Sequence, residues 1–221
     1  ACQKEKPGVP PRISAELQAA LASFAIEDGF NIELVAAEPL LADPVAMEID
    51  EDGRMYVAEM SGYPLDLSKK GRIKLLKDTN GDGYPDKAIV FADSLLLPTG
   101  LMRWRDGILV TDPPNVYYLA DTDGDDRADV RKIMLTGFAL SNPQHNLNNP
   151  MFGLDNWIYL AHQWAFTPTV CKEFSDEGSE IRLPDHPKAA RLGKNADDRN
   201  VRFKPDTYEM EALAAATQFG Q

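Results

Sequence analysis

From Phe30 onward the apolar residues fall in short alternating or continuous runs, separated by Asp-Gly and Pro turns. Period-two alternation between turn residues predicts strands, and no long helical pattern interrupts it before the last dozen residues. A short helix precedes this region. Ser14 is a suitable N-cap, and Leu17, Ala20, Leu21 and Phe24 recur at helical spacing, which predicts a helix from Ser14 to about Phe24. Ahead of it, Pro7, Pro10 and Pro11 make residues 1–12 an extended tether, and residues 13–29 form the helical segment.

The strand pattern repeats. Residues 43–58 read as strand, Asp-Gly turn, strand; residues 98–111 and 149–161 do so again. The turn aspartates Asp52, Asp106 and Asp155 are 54 and 49 residues apart. A period near 50 with several strands per unit is that of a β-propeller blade, roughly 40 to 50 residues each. Each hairpin supplies a blade's inner strands. Residues 72–76 with 88–91, and 116–119 with 130–135, supply the outer ones, and in the third unit residues 180–183 and 200–204 are assigned to those places. Residues 186–199 read as a long polar loop. The expectation is an all-β chain, with blades over about 30–97, 98–147 and 148–221. Three blades do not close a ring, so residues 30–221 read as a partial propeller, half of six blades. The remainder would come from the same gene product or another chain, and the half expressed alone should self-associate through its open edges. Residues 208–216 have helical propensity but are too few to cap a blade face.

The chain has 221 residues, 43% of them apolar, and a formal net charge of −12. That balance argues against disorder. It also makes duplex nucleic acid a poor partner, because phosphate binding needs clustered Lys and Arg. No apolar run approaches the roughly 20 residues of a membrane-spanning helix. Cys2 and Cys171 are too few for a disulfide framework and lack zinc-site spacing. Ala1-Cys2 followed by Gln3-Lys4-Glu5-Lys6 resembles a bacterial lipoprotein cleavage site. It implies a lipid on Cys2 as the membrane link and a periplasmic or outer-envelope location; an ordinary N-terminal thiol is the alternative.

Two acidic loops join predicted outer strands. The first places Asp78, Asn80, Asp82, Tyr84 and Asp86 at positions 1, 3, 5, 7 and 9; the second places Asp121, Asp123, Asp125, Arg127 and Asp129 there. Oxygen side chains at alternate positions of a tight turn, with the backbone carbonyl of position 7, converge on a hard cation such as calcium. Ile89 and Lys132 stand where an EF-hand has its closing glutamate, and Asp126 replaces the turn glycine in the second loop. The plainer alternative is two solvated turns.

Taken in order, Phe30-Asn31-Ile32-Glu33-Leu34-Val35-Ala36-Ala37-Glu38-Pro39, Gly71-Arg72-Ile73-Lys74-Leu75-Leu76, the two acidic loops, and Leu140-Ser141-Asn142-Pro143-Gln144-His145 resemble one family. It is the bacterial membrane-bound dehydrogenase domain propellers, related to glucose/sorbosone dehydrogenases. The resemblance implies a six-bladed propeller, export, and quinoprotein chemistry with pyrroloquinoline quinone over the central channel. It also implies His145 as the base that takes a substrate hydroxyl proton, with Asn142, Gln144, Asn146 and Asn148 bonding sugar or cofactor. The bland reading is that His145 caps a turn and the amides satisfy loop backbone. No Cys-x-x-Cys-His occurs, so no haem attaches to this chain. The relatives' Arg-Asn-x-x-Gly stretch is replaced here by Thr217-Gln218-Phe219-Gly220-Gln221, without the cofactor-contacting arginine.

Glu59, Tyr63, Asp112 and His162 stand at or just past strand ends, where they can line the same face, a structural role being the simpler one for His162. His186 reads as solvent-exposed, and Trp104 and Trp157 as blade packing. Two functions follow. One is an exported calcium-binding propeller acting as a sugar or alcohol oxidoreductase. The other is a non-catalytic, calcium-stabilised propeller that binds a protein partner or glycan.

Overall fold

A computed structural model of the chain describes residues 14–163 and 174–220. The tether with Cys2, and Cys171, lie outside the described residues. The helix α1 spans Ala15–Ala22, with the Ser14 hydroxyl accepting the Leu17 N–H as N-cap. None of its residues is buried.

The strands form three four-stranded antiparallel sheets. The first contains β1 (Pro44–Ile49), β2 (Met55–Glu59), β3 (Gly71–Lys77) and β4 (Lys87–Leu95). The second contains β5 (Gly100–Trp104), β6 (Gly107–Asp112), β7 (Asn115–Ala120) and β8 (Val130–Thr136). Both are meanders in chain order, so the expected inner hairpins and outer strands are present. The third sheet departs from expectation. β9 (Asn148–Phe152) and β10 (Ile158–Ala161) pair as predicted and β13 (Val201–Lys204) takes an outer place as assigned, but the other outer place goes to β14 (Glu209–Ala212). Residues 180–181 form instead β11 (Glu180–Ile181), paired with β12 (Leu192–Lys194) in a separate ribbon. The expected loop 186–199 therefore holds a strand and a 3-10 turn, Asn195–Asp198. Residues 209–212 are strand, not helix, because alternation sets Met210 opposite Phe203 and Glu211 opposite Arg202.

Local chemistry fixes the hairpins. Asp50 accepts the N–H groups of Asp52 and Arg54 at 3.0 and 2.9 Å and pairs with the Arg54 guanidinium at 2.7 Å, while Gly53 supplies the left-handed φ of 77°. At Gly107 any Cβ would run into the Leu119 carbonyl oxygen, so only glycine lets β6 approach β7 there.

Period-two alternation sends opposite faces of the second sheet to opposite neighbours. Leu101, Ile108, Val110 and Leu119 pack on Tyr56, Ile73 and Leu75 of the first sheet. Met102, Leu109, Val116 and Leu135 pack on Ile158, Val201 and Phe203 of the third. Burying each such Leu, Ile or Phe contributes about 2 kcal/mol. The outward faces of the first and third sheets differ. On the first, Val45, Met47 and Ile49 are exposed, and part of the face is crossed by the segment before β1, held by Lys74 Nζ on the Leu40 carbonyl at 2.7 Å. On the third, Arg202 is paired with Glu211 and Asp155 and donates to Tyr159 Oη.

β1 lies against β5 and β5 against β9, so the first strand of every sheet is innermost. The hairpin turns and both acidic loops then lie at one end of the sheets. The connections carrying Tyr63, His145 and His162 lie at the other.

Candidate functional site

The inner strands enclose a groove of about 1110 Å³. Its wall is rich in neutral polar groups: Tyr63, Gln144, Asn146, Asn148, Asn149 and Gln218 all line it. The charges among its lining residues are Asp43, Glu48 and Arg103. Arg103 pairs with both Glu51 oxygens at 3.0 and 3.1 Å and donates to the Gly107 carbonyl, while its buried Nε has no partner among the described residues.

The amide loop before β9 forms the wall near His145. Asn142 spends its side chain on a turn, its Oδ1 accepting the Gln144 N–H at 2.9 Å, and it does not line the groove. Gln144 donates to Tyr63 Oη at 3.2 Å, tying this loop to the first sheet. Asn148 donates to the carbonyls of Asn146 and Gln218 at 2.8 and 2.9 Å. Asn146 is only 3% exposed, and its Nδ2 has no hydrogen-bond partner among the described residues. His145 is half-buried between two lining residues but is itself turned aside, with Nδ1 3.1 Å from Gln163 Oε1. Gln163, Gln218 and Arg103 were not singled out from the sequence. Gln163 alone had a signal, as it follows the strand-end residue His162.

The strand-end residues occupy one repeated position. Glu59 ends β2, Asp112 ends β6, and His162 follows β10. Glu59 is fully buried and does not line the groove; it accepts the Ala42 N–H at 2.7 Å and pairs with Lys74 at 3.1 Å and with Arg72. Asp112 accepts the N–H groups of Leu96 and Leu97 at 3.0 and 2.6 Å. Burial pushes its carboxyl pKa up despite those bonds. Both carboxylates thus clamp the segment leading into their own sheet. His162 is also fully buried and away from the groove. Its backbone N–H bonds Asn200 Oδ1 at 2.8 Å, its ring stands edge-on to Phe138, and neither ring nitrogen has a partner of good hydrogen-bond geometry among the described residues. Burial pulls its pKa down to about 4, against smaller opposing pulls from Asp198 and from the nearby side chain and backbone of Asn195. The structural role expected for His162 fits this enclosure.

In the second acidic loop Asp121, Asp123 and Asp125 bring carboxylate oxygens within 4.8 Å of one another. Burial opposes it, but the N–H groups of Gly124, Asp126 and Asp125 hold the Asp121 carboxyl below its usual range. In the first loop the N–H of Gly83, with those of Gly81 and Asn80, does the same for Asp78. The position-9 residues do a different job. Asp86 accepts from Thr79 and Asp129 from Thr122, closing each loop at its base. Tyr84 Oη donates to Glu33 at 2.9 Å, and the Arg127 N–H bonds Asp125 at 2.8 Å. Asp126, at φ 69°, pairs both oxygens with Lys77 of the first sheet at 2.9 Å. The residue in the glycine's place is a clasp between sheets.

Four-stranded meanders packed face to face, with first strands around a polar groove, define a propeller-like β architecture. Residues 16–221 match the family described as "Domain of unknown function (DUF7133)", and the chain belongs to it. No functionally curated protein matches it. Among solved structures, the chain is similar to the holo pyranose dehydrogenase PQQ domain of Coprinopsis cinerea, with TM-score 0.50 and 16% identity over 77% of this chain and 39% of that one. It is also similar to a Trichoderma reesei carbohydrate-active enzyme of family AA12, with TM-score 0.48 and 18% identity over 73% and 40%. The chain thus spans about two-fifths of the length of these structures.

Proposed function

We propose that the chain forms the hydroxyl-binding wall of a quinoprotein-like sugar or alcohol oxidoreductase, a propeller of the membrane-bound dehydrogenase type. It would be exported to the periplasm or outer envelope and anchored by lipid on Cys2. The observation that carries this reading is the buried Asn146 Nδ2, without a partner among the described residues, on an amide-rich groove wall. A buried unsatisfied donor costs about 1–3 kcal/mol, which an alcohol oxygen in the groove would recover. Beside it, His145 Nδ1 lies 3.1 Å from Gln163 Oε1, and in the tautomer that donates there Nε2 would be the acceptor for a hydroxyl proton.

Pyrroloquinoline quinone, the hydride acceptor implied by the resemblance, is a tricarboxylate. The groove has no unpaired cation among its described lining residues and carries Asp43 and Glu48. These residues do not fit that quinone by themselves, so no step is assigned to it. Countercharges would come from the rest of a six-sheet ring, in the same gene product or another chain, packed on the outward faces of the first and third sheets. Calcium in the two acidic loops would hold the outer strands; the convergence of Asp121, Asp123 and Asp125 carboxylate oxygens within 4.8 Å supports a cation in the second.

A second reading, a calcium-stabilised propeller that binds a protein or glycan without catalysis, is favoured by one observation: His145 is turned out of the groove lining. Quinone titration and dye-linked sugar oxidation by the complete gene product separate the two. A spectral shift with turnover that His145→Ala removes supports the oxidoreductase. No shift and no turnover overturns it in favour of the binding protein.

A further inference from the structure

A second cavity, of about 250 Å³, lies between the second and third sheets at the hairpin end, away from His145. Its walls carry Trp104, Tyr118, His186 and Tyr208, and its floor includes the buried Met134 and Leu183. Trp104 and Tyr118 meet edge to face with centroids 5.3 Å apart, and His186 stacks on Tyr208 at 3.5 Å. His186 is therefore half-buried in a ring stack, not free in solvent as the sequence suggested. Two ion pairs flank the rings, Lys132–Asp185 at 3.1 Å and Arg105–Asp206.

Tyr208 has φ 62° and Arg105 φ 55°, each at a hairpin turn that aims its side chain along the cavity rim. The Lys204–Tyr208 turn, closed by a 2.9 Å backbone bond, holds the Tyr208 ring at the cavity while leaving it 40% exposed. Arg105 covers one face of Trp104 at 4.4 Å and His186 one face of Tyr208, so the rings offer their remaining faces to the C–H face of a sugar ring, and carboxylate and guanidinium groups bond its equatorial hydroxyls. The volume suits one ring. We propose that this cleft is a pyranose-binding site, separate from the groove, that takes a single neutral sugar unit of a glycan.

The test reads the Trp104 indole N–H resonance of the full chain, assigned with Trp104→Phe, during titration with methyl glucoside, methyl galactoside, methyl xyloside and N-acetylglucosamine. The expected result is a saturable shift at millimolar sugar with at least one of them. It should be at least tenfold weaker in Tyr208→Gly, because glycine accepts the left-handed φ and the ring alone is lost. Asp206→Ala, a change at an exposed residue, should weaken it too. No Trp104 shift with any of these sugars at tens of millimolar overturns the proposal, as does undiminished binding in both variants. A ligand confined to the groove would leave Trp104 unmoved, so this outcome is independent of the proposed oxidoreductase function.

Discussion

Acidification should destabilise the protein through His162 before most carboxylates titrate. The imidazole is 0% exposed, and burial lowers its pKa from 6.5 to about 4. The unfolded chain therefore takes up the proton first. Stability from this group is complete above pH 6.5 and is lost as pH falls toward 4, with a slope of at most about 1.4 kcal/mol per pH unit. Across that window the loss is about 3 kcal/mol, a large part of the stability of a typical domain. Asp112 opposes the trend, because its raised pKa makes protonation favour the folded state. A difference measurement removes that contribution. Urea unfolding followed by circular dichroism at pH 7.5, 6.5, 5.5 and 4.5 would be compared between wild type and His162→Leu, whose side chain suits the contact with Phe138. The wild type should lose about 3 kcal/mol more than the variant over the range. Parallel pH profiles would refute the reasoning, since they would mean that the ring is solvated or already paired.

Chelation should lower the melting temperature, and Asp82→Ala should remove most of the first loop's share of that dependence; a chelator-insensitive melting curve would rule out a structural cation. Glu59→Gln leaves Lys74 and Arg72 without their shared carboxylate, and should cost about 3 kcal/mol in denaturant unfolding, while a change below about 0.5 kcal/mol would show that the pair is dispensable. His145→Ala should leave the melting temperature nearly unchanged and abolish sugar oxidation, or ligand binding in the groove, by the complete gene product; a large stability loss would instead mark a packing residue. Size-exclusion of the isolated chain should show self-association, and a monodisperse, cooperatively melting monomer would count against a ring completed by further sheets.

What could be read from the residues followed how local the cause was. The hairpins announce themselves because Asp50, Asp52 and Gly53 build their turn from neighbours in sequence. In the third sheet residues 201–204 were legible but their outer partner was not. Residues 180–183 and 209–212 both alternate, and the pairing of Phe203 with Met210 and of Arg202 with Glu211 selects the latter. The same limit applies to the groove. The amide cluster around His145 is contiguous and visible, but its contacts with Gln163 and Gln218 join positions 18 and 70 residues apart. No pattern of spacing marks the bond from Gln144 to Tyr63, which spans 81 residues.

The repeated strand-end position has a mechanical consequence. Glu59 and Asp112 each fasten a lead-in segment to the sheet it enters, so those segments move with their own sheets. On the third sheet the strand-end latch passes from His162 to its neighbour Gln163, which bonds His145 of the lead-in, and the Thr99 hydroxyl of the segment entering the second sheet donates to the Leu147 carbonyl of the same lead-in. The His145 loop is thus tied at once to the β2–β3 connection through Gln144 and Tyr63, to the second sheet's lead-in through Thr99, and to its own sheet through Gln163, so a shift of any one of them would load that loop first.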